Sequence, residues 1–172
     1  MFNLQLCAEA VQGKKIIYLF RVLSKAAENA AAAMAFVTEN ERTKSKDADS
    51  TATKDGSIRT PGVTETEITA TAILAKGDTM TDELEEAMDN DELIEVWEVN
   101  LESPAQTDGK FNGTYYQGYL TEFSLTSSAE EHAEYSTTFA INGKGAKGEV
   151  TVTAEQQEVA NYVFTDTQAT GA

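Results

Sequence analysis

A chain of 172 residues, 41% of them hydrophobic, has the length for one domain with a sizeable core and is too apolar to be wholly disordered. Its 29 acidic residues against 13 basic ones give a formal net charge of −16, which excludes a protein that wraps nucleic acid by neutralising phosphates. Work beside DNA suits that charge only if the task is to repel it; otherwise the acidity serves solubility.

Residues 1–12 read as a short helix or a loose arm. MFNLQLCAEA lacks the basic segment and long apolar run of a signal peptide and is not a lipobox. Cys7 is the only cysteine, so an intrachain disulfide is ruled out, as suits a reducing compartment. No stretch approaches the roughly 18 consecutive apolar residues of a membrane span. The expectation is a soluble protein used without export.

Residues 16–23, IIYLFRVL, are apolar on both faces, as in a central buried strand. Residues 24–37 are rich in Ala, which by propensity alone favours helix. The polar break at 24–29, before the run 30–37, instead suggests a hairpin, and both readings stand. Residues 40–61, NERTKSKDADSTATKDGSIRTP, are polar almost throughout and read as a loop too long for an ordinary connection. It is either a partner-binding arm or a solvated flexible loop. Its charged residues, Lys44, Lys46, Asp47, Asp49, Lys54, Asp55 and Arg59, are the candidate contacts.

Residues 63–74 form a two-faced strand, with Ile68, Ala70, Ala72 and Leu74 toward the core and Glu65, Glu67, Thr69 and Thr71 toward water. Lys76-Gly77-Asp78 turns the chain. Thr81 is the expected N-cap of a helix over 81–90, with Asp82 and Glu83 in its first turn and Met80, Leu84, Ala87 and Met88 at helical spacing. Residues 93–101 form a strand with Trp97 as a core anchor. Residues 114–126, TYYQGYLTEFSLT, form a long one, about 40 Å at roughly 3.3 Å per residue. One face carries Tyr115, Tyr119, Phe123 and Leu125; the other carries Tyr116, Gly118, Leu120, Glu122, Ser124 and Thr126. So long a strand needs neighbours, or it is an edge looking for another chain. A strand over 135–141 leads to Asn142-Gly143, a hairpin signal, and a return strand over 149–153 with Val150 and Val152 inward. Thr153 and Gln156 form a capping box for a short helix or arm over 155–164, with Val159, Ala160 and Val163 on one face; residues 166–172 are a flexible tail. The pattern is mainly β, an antiparallel sandwich or barrel with one short flanking helix and a long polar loop.

No catalytic constellation emerges. His132 is the only histidine and sits in the acidic run AEEHAEY, far in sequence from Cys7. Asp47-Ala48-Asp49-Ser50-Thr51 begins like a calcium loop, then puts Ala52 where Gly belongs and Ile58 where the bidentate Glu belongs. The set 143–148, GKGAKG, lacks phosphate-loop spacing, and paired carboxylates such as Glu65/Glu67 and Glu130/Glu131 are common on an acidic surface. No enzyme activity, metal or cofactor is expected.

The segments GKKIIYLFRVLSKAAENAAAAMAFVTEN, KSKDADSTATKDGSIRTPG, ILAKGD, LEEAMDNDELIEVWEVN, YYQGYLTEF and FAINGKGAKGEVTVTAEQQEVANYVF, in this order, resemble the major tail proteins of long, non-contractile-tailed phages of Gram-positive bacteria. These are tail tube subunits, and the resemblance spans residues 12–166. It implies a tail-tube β domain over 13–165, preceded by an N-terminal extension at 1–12. It moves residues 30–37 from helix to strand. It also implies self-assembly into rings, typically hexameric, stacked into a tube whose lumen passes DNA during ejection. Residues 43–60 would then join ring to ring, and Glu65, Glu67, Thr69 and Thr71 would line an acidic lumen or else face outer solvent. Partners by resemblance are copies of the chain, a tape measure protein and a tail terminator or distal tail protein; DNA passes without specific binding, and no membrane is involved. Two alternatives remain. One is a carbohydrate- or surface-binding sandwich using Trp97, Tyr115, Tyr116 and Tyr119 as an aromatic platform. The other is the tube protein of a contractile-injection or secretion machine.

Overall fold

Among the described residues, alternating β-branched and aromatic side chains fold into seven strands: β1 (Ile16–Val22), β2 (Val37–Thr53), β3 (Gly56–Ile73), β4 (Ile94–Pro104), β5 (Lys110–Thr126), β6 (Glu134–Ile141) and β7 (Ala146–Thr151). The computed structural model describes residues 9–160, with side chains through 157. All strand pairs are antiparallel, in the order β1-β4-β5-β6-β3-β2, with β7 also on β5. Phe20 of β1 stacks on Phe139 of β6 with ring centroids 5.1 Å apart. Two strands lie between them in the order, about 14 Å across a flat sheet at roughly 4.8 Å per strand. The sheet therefore curls over itself, as the expected sandwich requires. The enclosed core joins Phe20 and Val22 to Ile68, Ala70, Ala72, Tyr135 and Phe139. Helix α1 (Met80–Asp89) closes it with Leu84 and Ala87.

The back of β1 and β4 carries a second cluster, built on Leu19, Val99 and Val152 with Trp97, Phe111 and Val150 against it. That explains why IIYLFRVL is apolar on both faces. The strand is nevertheless terminal in the order, not central. Its outer edge meets Ala32, whose N–H and C=O exchange hydrogen bonds with Phe20 at 3.0 and 2.8 Å. Residues 24–36 thus form neither the helix favoured by propensity nor a regular strand, and Val37 opens β2. After a 3-10 turn at Leu23–Lys25 they run irregularly with that one bridge. Ala32 gives its backbone groups to an open strand edge, and a helix would have kept them internal.

The largest departure from the sequence reading is at residues 40–61. They are not a loop. β2 and β3 pair without a long break from Val37↔Ala72 to Thr53↔Gly56, turning at Lys54-Asp55, with Gly56 at φ 132. Thr53 Oγ1 donates to the Gly56 carbonyl at 2.6 Å. Ladder hydrogen bonds need no apolar face, so a strand pair with water on both sides has the composition of a loop. Asp55-Gly56 and the spaced β-branched residues were its trace in the sequence.

Three smaller corrections concern geometry. β5 bulges at Thr121, since Leu120 pairs with Phe139 and Glu122 with Thr138. The extra residue swaps the faces, so Phe123 turns inward and stacks on Tyr135 at 5.9 Å while Glu122 turns outward. Asn142-Gly143 makes no hairpin. β6 and β7 run the same way along one side of β5, and Gly143 and Gly145, at φ 71 and 75, provide the jog between them. Val152 is inward and buried, as read; Val150 is half-buried. Thr81 lies inside α1; Asp78 Oδ1 accepts the Met80 N–H at 2.9 Å instead. The capping box holds: Thr153 N–H donates to Gln156 Oε1 at 3.0 Å and Gln156 N–H to Thr153 Oγ1 at 3.3 Å, opening α2 (Ala154–Ala160). The continuation to residue 164, the tail at 166–172 and residues 1–8 with Cys7 lie outside the described residues.

Candidate assembly interface

β6 supports β3 only from Thr66 to Ile73. Beyond Thr66 the β2–β3 pair continues alone as a ribbon of about ten residues per strand, roughly 30 Å long. Every residue from 41 to 63 is exposed. A lone two-stranded ribbon with water on both faces is marginal by itself.

Alternation sorts its charges. Arg42, Lys44 and Lys46 share the side of Ile68 and Thr66, and Arg59, paired with Ser50, continues that side. Asp47 and Asp49 lie on the other, and Lys54 and Asp55 form the turn. The seven predicted contact residues therefore lie on one hairpin, with Lys44, Lys46 and Arg59 on one face, Asp47 and Asp49 on the other, and Lys54 and Asp55 together in the turn.

The base of the ribbon is fastened by residues that sequence reasoning missed. Arg42 Nε donates to Glu98 Oε2 at 2.6 Å and its Nη2 to Oε1 at 3.4 Å, while Tyr18 Oη donates to the same Oε2 at 2.8 Å. Strand β2 is one end of the sheet order and β1 the other, so this triad ties the two ends across the fold. Burial, then the Glu98 carboxylate, pushes the Tyr18 phenol well above its ordinary range, so it stays a donor. The Glu98 hydrogen bond holds the Arg42 guanidinium still more firmly protonated. Only a strand reading of β2 would have revealed the pair, because the partners are 56 residues apart.

The back of the sheet has two halves. Over β1, β4 and the start of β5 it is covered by the second cluster and by a polar group in which Glu95 accepts from Arg21 Nε at 2.6 Å and from Tyr115 Oη at 2.7 Å. Over the end of β5, β6, β3 and the near half of β2 no other described residue packs on it. There the predicted Glu65, Glu67, Thr69 and Thr71 do lie on one face, opposite buried Thr66, Ile68, Ala70 and Ala72. Register adds Glu39, Glu41, Glu122 and Glu134, with hydroxyls from Thr43, Ser124, Ser136 and Thr138 between them. None of the outward positions over these stretches is Lys or Arg. Of the two glutamates on β2, Glu41 was hidden by reading residues 40–61 as a loop.

Other chemistry finds little support. Trp97 packs on Tyr115 with tilted rings 5.1 Å apart and Arg21 over its ring, Tyr116 is buried on the opposite face and Tyr119 is exposed, so the four aromatics share no platform. An open groove of about 540 Å³ beside Glu98, Asn100, Asn112 and Lys147 holds no convergent acid–base pair. Among the described residues no group of three His, Cys, Asp or Glu is placed to hold a metal, and no helix is long and apolar enough to cross a membrane.

Residues 10–147 match the family described as phage tail tube protein. A tail protein of Staphylococcus phage phiMR25 is 34% identical over 157 residues, covering 88% of this chain and 80% of that protein. The tail tube of SPP1, solved by solid-state NMR and cryo-EM, superposes with a TM-score of 0.73 at 20% identity over 95% of both chains. The tail of an empty gene transfer agent particle, refined with C6 symmetry, gives 0.58 at 13% identity, covering 80% of this chain and 98% of that one. The structural likenesses speak to fold, and the sequence matches to descent: the chain belongs to the phage tail tube protein family, as a structural subunit of the virion tail.

Proposed function

We propose that copies of this chain close into rings, six per ring, which stack through the β2–β3 ribbon into a tube with the bare carboxylate face lining its lumen. DNA crosses that lumen during ejection without binding. The observation that carries this reading is the face itself: six glutamates, interspersed hydroxyls and no cation at its outward positions. A cation there would offer each passing phosphate an ion pair. Carboxylates and hydroxyls hold water and leave the phosphates only repulsion, felt over a Debye length of about 8 Å at physiological salt. Repeating the face around a ring makes the repulsion come from all sides, which keeps the duplex centred.

Within a ring, the outer edge of β2 is the natural seam, because β2 ends the sheet order and no described strand pairs with its far edge. Between rings, contacts join unlike surfaces, and an open stack follows from that. A tape measure protein inside the tube, and terminator or distal tail proteins at its ends, complete the set of partners. The domain limits expected from the sequence, 13–165 with flanking arms, go with this reading.

Two measurements test it. Glu65→Lys/Glu67→Lys should leave tubes of unchanged width by negative-stain microscopy while DNA ejection slows. Unchanged ejection would remove the lumen assignment. Replacing residues 46–63 with a short Asn-Gly turn should leave a folded body that forms no tubes at any concentration; normal tubes would remove the ribbon from stacking.

A further inference from the structure

The sequence holds two Asn-Gly pairs, Asn112-Gly113 and Asn142-Gly143, and the fold treats them in opposite ways. In an Asn-Gly pair the glycine amide nitrogen has no side chain beside it to block its approach to the asparagine Cγ. Cyclisation needs that nitrogen free of a hydrogen bond, an asparagine side chain free to swing onto it, and main chain that can bend. Both asparagines are exposed, so access to water does not separate the two sites. Pairing does. Gly113 lies inside β5, opposite Val99 of β4 on one side and Gly148 of β7 on the other, and Asn112 is opposite Glu149. The Asn112 Nδ2 also donates to Ser103 Oγ at 2.9 Å and to the Pro104 carbonyl at 3.1 Å. Asn142-Gly143 lies past the end of β6, in the jog that leads to β7, with Gly143 exposed at φ 71. Asn142 N–H donates to the Gln117 carbonyl at 2.7 Å, yet among the described residues no backbone carbonyl accepts from the Gly143 N–H.

We infer that Asn142 is a site of spontaneous covalent modification, converting to aspartate and isoaspartate, and that the fold holds Asn112 unreactive. The Gly143 nitrogen, after losing its proton to solvent base, attacks Asn142 Cγ. The N–Cγ bond forms, the Cγ–Nδ2 bond breaks, and the nitrogen leaves as ammonia with a proton from water. Water then opens the cyclic imide. Cleavage at Cγ gives aspartate; cleavage at the main-chain carbonyl gives isoaspartate. The net change is one water consumed and one ammonia released. At Asn112 the same step must wait until β5 opens between β4 and β7.

The products act beyond the jog. Each adds a carboxylate to a chain already at −16, and isoaspartate lengthens the main chain by one methylene. The jog has little slack. Gly145 lies so close to the Tyr116 ring that a Cβ there would collide with it, and the Lys144 carbonyl accepts from Lys44 Nζ, at the root of the ribbon, at 3.5 Å. Isoaspartate at position 142 therefore loosens the jog.

Peptide mapping by mass spectrometry, with enzymatic methylation of isoaspartate, tests this on the full chain held at mildly alkaline pH with and without urea. In the folded chain Asn142 should convert about tenfold or more faster than Asn112, the factor reflecting the free energy of opening β5. In urea the two should convert at similar rates, because only the fold distinguishes them. Equal rates in the folded chain, or a difference that persists in urea, overturn the inference. Asn142→Gln should remove the new species and leave the melting temperature unchanged; the same species appearing in that variant also overturns it. Hydrogen exchange at residues 143–147 should be faster in aged protein than in fresh protein, and unchanged exchange there overturns the loosening of the jog.

Discussion

Between Thr66 and Ile73, strand β3 has a partner on each side and a core beneath it; between Gly56 and Glu65 it has β2 and water. The backbone ladder is the same in both halves. In the first, Ile68, Ala70 and Ala72 are buried and alternation is legible. In the second, nothing is buried, and the sequence loses its apolar phase while the strand continues. A strand pair can thus persist beyond its core, carried by β-branched residues and a tight turn.

Substitutions on either side of Thr66 should separate the two regimes. Phe139→Ala, which strips a fully buried ring from its stack with Phe20, should cost about 3–5 kcal/mol in urea unfolding of the monomer. Gly118→Ala should cost about 1–3 kcal/mol, because a Cβ there would collide with the Ala140 carbonyl oxygen and push β5 off β6. Arg42→Ala sits at the boundary. Its pair with Glu98 is partly exposed, so about 1 kcal/mol is expected, with faster hydrogen exchange in ribbon amides and little change in the body. A body that loosens equally would mean that the triad braces the whole fold and not the ribbon alone.

High pH probes the supported half alone. Burial pushes the Tyr135 phenol up to about 12 from its ordinary 10, and its hydroxyl has no hydrogen-bond partner among the described residues. Because the folded value is raised, the stabilising contribution is complete below pH 10 and is lost as pH climbs through 12. Alkaline unfolding should therefore set in over that window, tracked by circular dichroism. Tyr135→Phe should weaken the loss without abolishing it, since Tyr18 is also pushed up, and should leave neutral-pH stability equal or slightly raised. The smallest effect belongs to the ribbon: Ile58→Ser should alter monomer stability by less than about 0.5 kcal/mol, since its side chain is exposed, while assembly suffers. Hydrogen exchange at residues 40–61 should be fast in the monomer tip and slow in the tube.

Residues whose burial follows strict alternation were readable one by one. Ile68, Ala70 and Ala72 against Glu65 and Glu67 marked the two faces of β3, and Thr153 with Gln156 marked a helix start. The Thr121 bulge was not readable, because one extra residue changes which side every later residue faces without changing the composition. The Arg42–Glu98–Tyr18 fastening was out of reach for another reason. It joins three strands that meet only after the sheet has curled.

By itself the sequence determined the acidity, the β content, the short helix and the two-faced strand at 63–74, all of which follow from charge and from periods of two and 3.6 residues. Tertiary structure alone decided that the polar stretch at 40–61 is a ribbon, that residues 24–37 edge β1, and that β6 and β7 run on in one direction beside β5. Those outcomes depend on which backbone groups find partners. Hydrogen-bond pairing between distant strands leaves almost no mark on the side chains that the sequence records.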